Sequence, residues 1–124
     1  MIALLLFAAL QVPAAETPPA DWTALPLLPL PENAGERITY ARAEVAAGRC
    51  KADPLPDGRS QVVAPVALLL AADGTVRRAL PQAIDCPTVE QYTAGYVSTM
   101  VRTGTVRTAS LRAGWYKATI TYQW

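Results

Sequence analysis

The sequence predicts an α+β fold: a small antiparallel sheet of about three strands, packed against two helices on one face and clipped by one disulfide. Three observations carry this. Segments 61–71, 75–80 and 115–124 are rich in Val, Leu, Thr and aromatic residues and read as strands. Asp73-Gly74 sits between the first two of them, where Gly tolerates the positive φ of a hairpin turn. Apolar residues recur at helical spacing in 36–48 and 87–101.

The first helix is expected over Glu36–Gly48, with Asn33 available as its N-cap and Gly48 ending it. Ile38, Ala41 and Val45 would form its buried face, with Arg37, Arg42 and Glu44 placed elsewhere. Lys51–Gly58 is a turn-rich loop. Pro65 must fall at the start of its strand, at a bulge or on an edge, because proline cannot donate to a ladder. Pro87 suits the first position of the second helix, and Val89, Tyr92, Tyr96 and Met100 would face the sheet. Gly95 weakens that helix. Residues 102–114 form a polar connection with room for a short strand. In the last strand Tyr116, Ala118, Ile120, Tyr122 and Trp124 share one side. Trp115, Lys117, Thr119, Thr121 and Gln123 share the other.

Three regions follow from composition. Residues 1–15 carry no charged side chain and hold an apolar run, Ile2–Leu10, followed by small residues. This is the pattern of a secretory signal peptide, cut after Ala14 or Ala15. The run is too short for a membrane-spanning helix, which needs about 20 apolar residues, so no stable anchor is expected after cleavage. Residues 16–35 contain Pro18, Pro19, Pro26, Pro29 and Pro31 interleaved with leucines, an extended segment that should lie against the domain. Residues 36–124 form the globular domain. In an exported chain, two cysteines suggest a bridge between Cys50 and Cys86. The expected location is the periplasm or the medium.

Composition also removes function classes. The chain has 11 basic and 10 acidic residues, which argues against a nucleic-acid partner. Residues 16–74 carry five basic and eight acidic side chains, and 75–124 carry six and two. A solvated surface of mixed charge accounts for that asymmetry. There is no histidine, so neither a Ser-His-Asp nor a Cys-His site can be built. The carboxylates Asp53, Asp57, Asp73, Asp85 and Glu90 sit mostly at turns or helix starts, where they are structurally favoured. They leave only a weak case for a carboxylate-dependent hydrolase. No enzyme activity, cofactor or metal is expected.

The segment VALLLAADGTVRRAL, closing around Asp73-Gly74 and followed by a helix and a terminal strand, resembles the C-terminal domain of the TonB energy-transducer family. The matching residues are Val66, Leu68, Asp73, Gly74 and Val76, and Tyr40–Glu44 is similar to the family's lead-in helix, with Ala41 in place of a proline. The resemblance spans about 38–124. It does not extend to the family's membrane anchor or proline-rich spacer, nor to most of its aromatic patch, where this chain has Gly104–Ala109. It implies a periplasmic module that pairs with a protein or peptide, such as a segment of an outer-membrane receptor, along a sheet edge. The candidate edge is the terminal strand, displaying Trp115, Lys117, Thr119, Thr121 and Gln123. The alternative is that the proline-rich segment covers this edge. A different class remains open as well: a secreted structural or inhibitory module with an unrelated partner, for which the exposed loop 51–60 would be the contact.

Overall fold

The computed structural model describes residues 17–124, so the expected signal peptide at 1–15 lies outside the described residues. The architecture is α+β: an antiparallel sheet with two helices and one disulfide. The strands are β1 (Asp53–Pro54), β2 (Ser60–Leu70), β3 (Val76–Pro81) and β4 (Gly114–Gln123); the helices are α1 (Thr39–Ala46) and α2 (Pro87–Arg102). The two-residue β1 was not expected inside the 51–58 loop. It forms because Leu55, Asp57 and Arg59 close a turn that folds Asp53 back beside Gln61.

β2 is the spine of the sheet. It pairs with β4 along its length, from Gln61↔Gln123 to Leu70↔Gly114. On its other side it pairs with β3, from Val66↔Pro81 to Leu70↔Val76. Pro65 therefore lies in mid-strand, not at the start, a bulge or an edge as expected. It is tolerated because it opposes Thr119 without bonding to it and its missing donor faces the β3 side. There the ladder has just ended, and its carbonyl still accepts from the N–H of Gln82.

The core lies between the sheet and α2. Val62, Ala64, Val66, Leu68 and Leu70 alternate inward on β2, and Tyr116, Ala118, Ile120 and Tyr122 do so on β4. α2 meets them with Val89, Thr93, Val97 and Met100. Tyr92 and Tyr96 do not face the sheet as expected. They are half-buried: Tyr92 stacks with Tyr40 of α1 at a ring-centroid distance of 4.6 Å and with Tyr96 at 6.3 Å. Trp124 lies just past the strand and packs on the core from a half-buried position.

The expected first helix, Glu36–Gly48, starts later and ends sooner, at Thr39–Ala46. A 3₁₀ turn spans Glu32–Glu36, and α1 begins only at Thr39. Asn33 is not its N-cap; Ile38 holds that place and makes no side-chain cap. The 3₁₀ turn seats Gly35 against β4, where a Cβ would clash with the Thr121 carbonyl oxygen. The connection between α2 and β4, residues 103–113, contains no strand.

The Cys50–Cys86 bridge ties the chain just after α1 to the N-cap of α2, with Cα atoms 4.9 Å apart. A disulfide of this kind belongs to an oxidising compartment outside the cytoplasm. Among the described residues no helix is long and apolar enough to cross a membrane. Glu44, expected on the exposed side of α1, is 7% exposed and braces the same joint. Its carboxylate accepts from the Arg49 guanidinium and from the Thr88 hydroxyl at 3.2 Å. The Arg49 contact is the main reason its pKa is held below the ordinary carboxylate value.

One buried polar pair spans sheet and helix. The Thr93 hydroxyl donates to the Val89 carbonyl at 2.7 Å and lies 2.8 Å from the Tyr122 hydroxyl. Burial is the main cause that pushes the Tyr122 pKa up from 10.0 to about 12; the Thr93 bond opposes it. A raised pKa means that the folded state favours the protonated phenol. Its stabilising effect is complete below pH 10 and is lost as pH rises from 10 to about 12. Two units correspond to about 2–3 kcal/mol. Urea midpoints should fall across that window in the native chain, and this fall should be much smaller in Tyr122→Phe. Equal alkaline losses in both proteins would remove Tyr122 as the cause.

Candidate functional site

The five residues expected on the outer face of β4 do share one side of the strand, and all are half-buried. Trp115 lies in the row Arg78–Leu69–Trp115 across the sheet. Lys117 and Thr119 border a shallow cavity of about 520 Å³ with Trp22, Val63 and Pro65. Thr121 faces Gly35 through its carbonyl, and the Gln123 amide donates to Gln61 Oε1 at 2.7 Å.

The backbone edge of β4 is engaged by the chain's own proline-rich segment. The Lys117 N–H donates to the Pro26 carbonyl at 2.9 Å, and Leu28 N–H donates to the Lys117 carbonyl at 2.8 Å. This places Leu27 parallel to β4. Leu28 is buried by the docking while Leu27 stays 70% exposed. Pro26 and Pro29 have no N–H, so the ladder is short. A peptide approaching β4 must displace Pro26–Leu28.

The opposite side of the sheet differs. β3 pairs with β2 alone, and among the described residues no strand pairs with its outer side. A groove of about 800 Å³ runs beside it, between β3 and the C-terminal half of α2 with the loop that follows. Local sequence sets both walls. Ala71 N–H donates to the Thr75 carbonyl and Gly74 N–H to the Ala71 carbonyl, which closes a three-residue hairpin loop whose last residue, Gly74, has φ +83°. The Thr108 hydroxyl donates to the Gly74 carbonyl at 2.5 Å and locks that tip to the loop. At the other wall, α2 ends at Arg102. Gly104, with φ +79°, reverses the chain, and the Val106 N–H returns to the Met100 carbonyl at 3.0 Å.

The groove is bordered by both apolar and basic residues. Val76, Ala79, Val101 and Val106 supply its apolar surface. Arg77 and Arg78 come from β3, Arg102 from α2 and Arg107 from the loop. Asp73 is the one carboxylate in the lining. It accepts from the hydroxyl and the N–H of Thr75, at 2.7 and 3.0 Å, and these bonds hold its pKa below the ordinary value. Four of the six basic residues of 75–124 thus border this groove. Sequence reasoning missed this site, because its arginines stand far apart in the chain; the charge asymmetry between halves was the available signal.

The other carboxylates are scattered. Asp57 is held by the N–H and guanidinium of Arg59, which lower its pKa. Glu90 caps the α2 entry by accepting from the N–H groups of Ile84 and Cys86. Asp53 lies on β1 and Asp85 is exposed beside Cys86. No group of three or more His, Cys, Asp or Glu side chains among the described residues is placed to hold a metal ion. No protein-family model, curated protein or solved structure matches the chain. Function is therefore argued from the site itself.

Proposed function

We propose that this chain is an extracytoplasmic module that binds a protein or peptide in extended conformation, in the manner of the TonB C-terminal domains its sequence resembles. One observation carries the reading: the sheet already holds an extended segment of its own chain by backbone pairing, Pro26–Leu28 on β4. An edge that accepts one extended strand offers the same donors and acceptors to another. The disulfide agrees with work outside the cytoplasm, and a leader at 1–15 would deliver the chain to the periplasm. A segment of an outer-membrane receptor is the partner this resemblance favours. The role is binding, without catalysis.

The test is selection of a displayed library of extended peptides on the oxidised protein. Enrichment of sequences that bind with micromolar affinity or better is expected, since short edge-pairing peptides bury little surface. Failure to enrich any binder would overturn the reading. Binders that contact only loop 51–60 would favour the secreted structural or inhibitory module.

A further inference from the structure

We propose that the groove between β3 and α2 is a binding site for an acidic, extended segment of a protein partner, laid along the outer side of β3. The inference rests on the peptide-binding reading above and names a different edge and a ligand chemistry. β4 is engaged by Pro26–Leu28, whereas β3 has no strand beside it among the described residues. Alternate residues of β3 face β2, through the pairs Leu69↔Arg78 and Ala67↔Leu80, which turns Ala79 outward between them. Pro81, with no N–H to donate, closes the end of β3.

Charge selects the ligand. Arg102 of α2 and Arg107 of the following loop border the groove, and its one carboxylate is committed to the Thr75 turn. Arg102 and Arg107 are both exposed on the wall facing β3, where their guanidinium groups can meet carboxylates of an incoming strand. The apolar surface of Val76, Ala79, Val101 and Val106 suits the alternate side chains of that strand. A segment alternating acidic and apolar residues satisfies both, with apolar groups inward and carboxylates at the rim.

The probe is a short, end-blocked peptide alternating valine and glutamate, compared with one that has lysine for glutamate, titrated into the full oxidised chain. Backbone amides of 76–81 and 98–109 should shift with the glutamate peptide and not with the lysine peptide. Arg102→Gln and Arg107→Gln should each weaken binding by about ten-fold, the effect of losing one charge-assisted contact. Both side chains are exposed, so unchanged melting temperatures will show that the fold is intact. Equal binding of the two peptides, or unaltered affinity in both variants, would overturn the assignment. Shifts confined to 115–123 would overturn the groove and leave the peptide-binding reading standing. No shift with either peptide would also overturn the groove, and the library selection then decides the broader reading separately.

Discussion

Replacing both cysteines, as Cys50→Ser with Cys86→Ser, is expected to lower stability by roughly 4 kcal/mol. The bridge closes a 36-residue loop, and cross-linking a loop of that length restricts the unfolded chain by about this amount. For a domain of this size the melting temperature should fall by about 15 °C or more. The native joint gives no reason for a smaller effect. Both cysteines are buried, and the bridge fastens the exit of α1 to the first turn of α2 beside Glu44, Arg49 and Thr88. Those polar contacts should partly hold the joint, so the double variant should still fold at low temperature. Thermal melts of the oxidised native chain and the variant, followed by circular dichroism, give the comparison. Coincident curves would show that the bridge does not support the fold.

Gly74→Val should cost about 3 kcal/mol, from two sources. At φ +83° a β-branched residue adopts a backbone conformation that L side chains disfavour. Its Cβ would also stand 2.9 Å from Thr108 Oγ1 and 3.1 Å from the Thr108 carbonyl carbon and oxygen. The hairpin tip and the loop after α2 must then separate, which opens one wall of the groove. Gly95→Ala is the control: a Cβ at that position meets nothing within 4 Å. In the middle of α2 that change should be neutral or stabilise by about 0.5–1 kcal/mol. The urea midpoint should fall in Gly74→Val and stay level or rise in Gly95→Ala. Equal midpoints for Gly74→Val and the native chain would mean that the turn relaxes freely.

Much of the fold was legible because short-range rules decided it. The alternation of β4, the Asp73-Gly74 hairpin and the Pro87 start of α2 each depend on residues within a few positions of one another. The misread places depend on contacts across the sheet. Glu44 is buried because Arg49 and Thr88 satisfy it, and Thr88 is 44 positions away. The 3₁₀ turn before α1 seats Gly35 on Thr121, which no local pattern records. Pro65 survives in mid-strand because β3 ends beside it. The site follows the same division. The face of β4 could be read from its period of two, but its occupation by Pro26–Leu28 was left as one of two alternatives. The groove needs β3, the end of α2 and the loop with Arg107 to meet, and only tertiary structure brings them together.

The central claim is that an edge of this sheet captures an extended peptide. Backbone-amide mapping of the oxidised protein with a peptide enriched from the displayed library tests it most directly. The account expects shifts along an outer strand, 76–81 or 115–123, together with the residues flanking it. A binder whose shifts lie only in loop 51–60, with both outer strands unperturbed, would contradict it.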